Sequence, residues 1–294
     1  MSKRKKIKRS VEDIVLDLFI YTLLIAIVIV TLYPMWYVFI ASFSDSTSLV
    51  RDPGLKFWPD KPSLGAYSLV FKNVKFLNGF KNSLIILGVS VPYNVVMTLL
   101  AGYFMAKPKM MWKNLIVWMM LFTMYFSGGL IPSFLNIKDL GLYNTLWALI
   151  LPGGISVYNA IICRTSIQAI PDSLRESAYL DGANDIQVLF KIVVPLIKAT
   201  LAVLALYYGV AHWNNWMNAA IYLKENRLMP IQNVLRVVLM ENQQLMESGG
   251  DDYNEYAETI KYAAIIVSTV PILCVYPFVQ KYFVKGALVG AVKG

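Results

Sequence analysis

Few polar side chains in this sequence sit where chemistry would need them. Tyr207, Asn214, Asn218 and Tyr222 recur at steps of 7, 4 and 4 within one apolar stretch, which places them on one face if that stretch is a continuous helix. Amides hydrogen-bond hydroxyls, and phenol rings cover the apolar face of a pyranose, so the four form a candidate substrate path for a sugar. The same side chains also serve as polar glue between membrane helices, and the spacing leaves both readings open. His212, the single histidine, lies in the same stretch. A histidine suits a proton relay, but the long apolar stretches hold no acidic partner for it, so packing is its plainer role. The chain has no G-x-x-x-x-G-K-[ST], no G-x-S-x-G, no His/Asp metal cluster and no paired acids in an apolar stretch. The expectation is no catalytic residue, no metal ligand and no cofactor bound by this chain.

A second group of residues suits a mechanical role. The polar segment 170–195 places Ser173 and Glu176 at the spacing of a capping box. Asp181-Gly182 is a turn signal, because glycine tolerates positive φ. A further helical segment is expected from about Asn184 to Lys191, with Leu180, Ala183 and Ile186 at i, i+3 and i+6 along an apolar edge. The spacing thus predicts helix, turn, helix. Such an element docks into a partner's groove or lies flat under a bilayer.

The elements that must carry these residues are legible from the charges. Residues without Asp, Glu, Lys or Arg run 18–44, 82–106, 114–137, 140–163, 199–223 and 262–280. Each is long enough to cross a hydrocarbon core of about 30 Å at about 1.5 Å per residue. Hydrophobic residues make up 57% of the 294 and charged residues 15%, which excludes a disordered chain and argues against an ordinary soluble enzyme. The fold class expected is all-α integral membrane, with six transmembrane helices at about 18–42, 82–106, 113–135, 142–164, 199–223 and 262–283. They form one transmembrane domain, 18–283, between a basic N-terminus, 1–17, and a tail, 284–294. The net charge is +9. Alternate connecting segments (1–17, 107–113, 164–198 and 281–294) carry about 16 Lys/Arg against 7 Asp/Glu, whereas the others carry about 11 of each. Positive-inside bias then places both termini in the cytoplasm and explains the run Lys3 to Arg9 without nucleic acid.

Within this frame, breakers stand at membrane depth: Ser127-Gly128-Gly129 with Pro132, and Pro152-Gly153-Gly154. Such breaks survive where protein or water satisfies the freed backbone. Pro34 and Trp36 suggest a kink or interfacial anchor in the first helix, and residues 64–80 a short surface helix. The outer loop 45–81 holds turn residues Pro53, Gly54, Pro59 and Pro62. The outer loop 224–261 carries Glu241, Glu247, Asp251, Asp252, Glu255 and Glu258, a candidate docking surface for an external protein. Cys163 and Cys274 both fall within or at the edge of spans, so no loop disulfide is expected.

The segment Glu176, Ser177, Ala178, Asp181, Gly182, Ala183, Phe190, Ile192 and Pro195 resembles the EAA loop of ABC importer membrane subunits, departing at Ser177 and Ala199. Together with Trp213-Asn214-Asn215-Trp216 and the long loop before the last helix, the chain is similar to carbohydrate permeases of the maltose-transporter class. Phe126 to Pro132 and Gln280 to Gly286 resemble the branch serving oligosaccharides and polysaccharide fragments. The resemblance implies a type I ABC importer permease fold in a bacterial plasma (inner) membrane. It implies a coupling role for Glu176, Ala178, Asp181, Gly182, Ala183 and Phe190. The implied partners are a second homologous permease, two ABC ATPase subunits that bind ATP and Mg, an extracytoplasmic solute-binding protein and a sugar. The competing function is an ion-coupled secondary transporter of a small polar solute.

Overall fold

The computed structural model describes residues 10–51, 54–59, 61–107, 110–248 and 257–291. Among them the elements are helical, and the one strand-like pairing is an isolated bridge between Ser44 and Pro62. The basic run 3–9, Pro53, the acids Asp251, Asp252 and Glu255 and the last three residues lie outside the described residues, as do the side chains of Glu241 and Glu247. The chain divides into two compact units, 1–70 with 241–266, and 71–240 with 267–294.

The first unit is dominated by α1 (Val11–Ser42). It starts earlier than the charge gap because Ser10 and Asp13 form a capping box, each side chain accepting from an open backbone N–H. It runs through Pro34 as one helix. Its apolar side chains from Val11 to Phe39 are largely exposed, a surface that needs a non-aqueous surround. At its end, Trp36 Nε1 donates to Phe57 O at 3.2 Å. Ser42 Oγ meets Tyr67 OH at 2.7 Å, and the Tyr37 ring meets Tyr262 edge-on at 5.9 Å.

The second unit is built on α2 (Val74–Ala106), which Asn73 caps by accepting from Lys75 N and Phe76 N. This cap starts the helix eight residues before its charge-free stretch; of the short helix expected over 64–80, only Gly65–Lys72 is separate, and residues 74–80 belong to α2. The next apolar stretch is not one straight helix. It comprises α3 (Lys113–Tyr125) and α4 (Leu130–Asp139), bent by 116°. Phe126 is extended, and Gly129 adopts φ +85°. Pro132 sits in the first turn of α4, where its missing N–H costs nothing. The stretch 142–164 is likewise divided, into Trp147–Ile150 and α5 (Val157–Gln168), around Pro152-Gly153-Gly154.

Beyond α5 come α6 (Asp172–Leu180), α7 (Asp185–Val188) and a π-helical turn at Leu189–Val193. Then follow α8 (Lys198–Trp213), α9 (Trp216–Tyr222), α10 (Ile231–Ser248) and α11 (Ala257–Ala291). The path turns by 83° between Asp185–Leu196 and α8. Among the described residues, three single helices are long and apolar enough to cross a membrane, or five crossings if each bent pair counts as one.

α2 packs most extensively on α5 and α8. Gly102 permits this approach: a Cβ there would stand 2.8 Å from Cys163 Cβ and Sγ. Small residues that let backbones close up are how helices associate in lipid, where water no longer drives apolar surfaces together.

Candidate functional site

The turn at Gly182 is built by a Schellman cap. Asp181 ends α6, and Gly182 follows at φ +82°. Ala183 N donates to Ala178 O at 2.9 Å and Gly182 N to Tyr179 O at 3.0 Å, which satisfies carbonyls the helix end leaves open. Asn184 then starts α7 with a capping box: Asn184 Oδ1 accepts from Gln187 N, and Gln187 Oε1 accepts from Asn184 N, both at 2.9 Å. The sequence pattern Ala-x-x-Asp-Gly-Ala is therefore a helix stop followed at once by a helix start.

Two local expectations need correction. Ser173 and Glu176 do not form a capping box; Pro171 occupies the N-cap and Asp172 begins the helix. With Pro171 as the N-cap, extended at ψ 132°, the helix starts two residues earlier than a cap at Ser173 would place it. The apolar edge is also divided. Ala178 and Ala183 pack inward, against a core that includes Leu99, Tyr103, Ile167, Val188 and Leu204. Leu180 is 88% exposed, Ile186 68% and Phe190 54%. Glu176 and Asp181 are exposed beside them. The turn thus presents three large apolar groups and two carboxylates outward, on a base held by alanines.

The base is fastened to the end of α2 by residues with no local signal. Lys107 pairs with Asp185, and Tyr179 OH donates to Asp185 Oδ1 at 2.7 Å. Tyr103 OH donates to Asp185 O at 3.4 Å from 82 positions away. The Lys107 ammonium, hydrogen-bonded to Asp185, together with the Tyr179 hydroxyl, holds that carboxyl below the usual carboxylate range. Burial, and then the hydrogen-bonding neighbours Tyr103 and Asp185, push the Tyr179 phenol up.

Further along α2 two interior polar groups, Asn94 and Thr98, are paired. Asn94, fully buried, donates through Nδ2 to Gly153 O and Gly154 O at 3.1 Å each and accepts from His212 Nε2 at 2.9 Å. The carbonyls fix the orientation of the amide, so its oxygen faces the histidine. Thr98 Oγ1 meets Tyr208 OH at 2.5 Å, and Tyr208 OH accepts from Ser156 N at 2.9 Å. The break at 152–156 is thereby satisfied by protein, one of the two conditions under which a membrane tolerates it.

The four residues expected on one face are not on one helix. Asn214 ends α8, and Asn215 caps α9, accepting from Asn218 N at 3.4 Å. Asparagine side chains compete with the helix for backbone donors, which stops α8 there. Tyr207, Asn214 and Asn218 are exposed. Tyr222 is buried and stacked on Phe134 at 6.4 Å. Nearby, Asn144 Oδ1 accepts from Lys224 N at 2.9 Å and Glu225 N at 3.1 Å, pinning the start of the long loop. Much of that loop is α10, and Glu258 is buried at the start of α11 and paired with Lys261 at 2.5 Å.

Residues 62–288 match the family described as "Binding-protein-dependent transport system inner membrane component". The polygalacturonan/rhamnogalacturonan transport system permease protein YtcP of Bacillus subtilis (strain 168) is 37% identical over 281 residues, covering 95% of this chain and 98% of that protein. Protein LplC of the same organism is 38% identical over 267 residues, covering 90% of each. A solved chain from a bacterial ABC transporter involved in the import of the acidic polysaccharide alginate superposes with a TM-score of 0.86 at 29% identity, covering 95% of this chain and 100% of that one. With the match to residues 62–288 taking in both the Gly182 turn and the Asn94 contacts, the chain belongs to the binding-protein-dependent transport system inner membrane component family.

Proposed function

We propose that this chain is the membrane-spanning permease subunit of an ATP-driven importer, and that it moves an oligosaccharide inward by alternating access. The observation that carries the reading is the turn at Gly182. It projects Leu180, Ile186 and Phe190 outward from a packed alanine base, the form of a knob that a groove on another subunit can hold. In this reading Glu176, Ala178, Asp181, Gly182, Ala183 and Phe190 are the coupling element. Glu176 and Asp181 meet basic groups of an ATPase, and the two alanines and Gly182 keep the knob's shape.

ATP and Mg act on two ATPase subunits outside this chain. A second homologous permease completes the conduit, and an extracytoplasmic binding protein delivers the sugar to the loop 224–261. The positive-inside count supports a cytoplasmic side for the turn and both termini, and the membrane of the reading is a bacterial inner membrane. Six crossings follow if 142–168 is counted as a broken span. Tyr207, Asn214 and Asn218, all exposed, are the sugar contacts, and Tyr222 is buried against Phe134. The likeness to permeases whose names carry polygalacturonan, rhamnogalacturonan and alginate supports a polysaccharide fragment as cargo. Ion-coupled transport is the weaker reading, because His212 is engaged by the neutral Asn94 amide.

The test is uptake into proteoliposomes that hold this chain with its partner permease, ATPases and binding protein. The probes are oligogalacturonides and maltooligosaccharides. ATP-dependent uptake that stops when the ATPases are omitted is the expected result. Uptake by this chain alone, driven by a proton gradient without ATP, would overturn the proposal.

A further inference from the structure

We infer that Lys107, Asp185, Tyr179 and Tyr103 form a positioning latch that makes the Gly182 turn and the end of α2 move as one piece. The inference deepens the permease reading and rests on it, since it concerns how a push on the turn reaches the membrane interior. Both oxygens of the Asp185 carboxylate are engaged, one by Lys107 and the other by Tyr179 OH at 2.7 Å. Tyr103 OH donates to the backbone carbonyl of the same residue at 3.4 Å and stands 3.4 Å from Tyr179 OH. Lys107 Nζ also lies 5.2 Å over the Tyr103 ring. The four side chains line one groove of about 420 Å³ between the turn and α2.

The contacts hold both sides of the turn. Tyr179 belongs to the last turn of α6, and Asp185 is the first residue of α7. The turn does not need them in order to form, because its Schellman bonds and the Asn184 cap are internal to it. What the latch adds is attachment to α2. The other attachment is apolar packing, of Ala178 and Ala183 and of the buried Val188 and Leu189, in a core shared with Leu99, Tyr103 and Ala106, and packed helical surfaces slide past one another by shear. A charged, directional network opposes that sliding. Once the turn and α2 are joined, the stiffness of a single helix carries displacement to Thr98 and Asn94. Those residues hold Tyr208, His212 and the carbonyls of Gly153 and Gly154. The break between Trp147–Ile150 and α5 is then moved from the cytoplasmic end of α2.

The experiment uses the complete transporter in proteoliposomes, with the probe sugar that the wild type takes up. Uptake, ATP hydrolysis and co-purification of the ATPases are read together for Asp185→Asn, Lys107→Gln, Tyr179→Phe and the exchange Lys107→Asp with Asp185→Lys. For the single variants, co-purification and hydrolysis should stay within about twofold of wild type while uptake per ATP falls about tenfold, a loss of coupling between sites. The exchange should recover most of that ratio. Unchanged uptake per ATP in Asp185→Asn and Tyr179→Phe would overturn the latch while leaving the permease reading intact. Loss of co-purification in every variant, unrestored by the exchange, would make the four residues structural supports and also overturn it. A wild type that takes up no sugar on ATP would remove both the latch and the reading beneath it.

Discussion

Gly182 sets the shape of the outward knob through one backbone angle, φ +82°. A Cβ there meets no atom, so substitution is opposed by backbone strain and not by crowding. Left-handed backbone costs an ordinary L-residue about 1 kcal/mol, and asparagine least among them. Transport should therefore fall in the order Gly, Asn, Ala, Val at position 182, with membrane abundance held; uptake assays and immunoblots on the wild type and the three variants check it. Asp185 gives a pH prediction. Its folded carboxyl is held down by Lys107 and Tyr179, so its contribution is complete above the ordinary carboxylate range and is lost only as pH falls through the depressed value. Hydrogen exchange at residues 183–190 should be unchanged between pH 7 and pH 5 once corrected for intrinsic rates; faster opening already at pH 5 would contradict this. The Asp181-Gly182 stop was legible because its bonds lie within six residues. The latch was not, because Tyr103 and Asp185 are 82 positions apart and neither has a distinctive neighbour. Ser173 is no cap because it is already the second residue of the helix, which Asp172 opens behind the Pro171 N-cap.

The helices explain why breaks and close contacts occur where they do. α2 is the hub: its Gly102 lets α5 approach, and its Asn94 joins α8 to the 153–154 carbonyls. Gly102→Val should push α2 from α5, because the new side chain begins 2.8 Å from Cys163. Overpacking of this kind costs about 1–3 kcal/mol, and a lowered melting temperature of the detergent-solubilised complex is the expected readout. Asn94→Ala strands two carbonyls and a histidine N–H, at about 1–3 kcal/mol per unsatisfied group, and should lower it as well. His212→Gln keeps a donor for Asn94 and should cost less than His212→Leu. Helix breaks at Gly129 and Gly153 were legible from Gly-Gly next to proline. The stop at Asn214-Asn215 was not, because the charge-free stretch runs through it and a 4-residue spacing suggested one face. Only the cap bond from Asn215 to Asn218 shows where the face ends.

At the scale of the whole molecule, an apolar helix as bare as α1 marks a subunit that works inside a lipid and protein surround. Composition and charge gaps revealed the membrane class because both depend on totals and lengths. They could not show which stretches bend, since a bend of 116° or 83° is decided by a few backbone angles. In the proposed function the knob at residues 180–190 is gripped by a nucleotide-hydrolysing subunit. The most direct measurement places a photo-crosslinking amino acid at Leu180 in the complete transporter in membranes, with mass spectrometry of the adducts. The account predicts a covalent adduct with the ATPase that disappears when the ATPase gene is deleted. Adducts with lipid alone, while ATP-driven uptake persists, would contradict it.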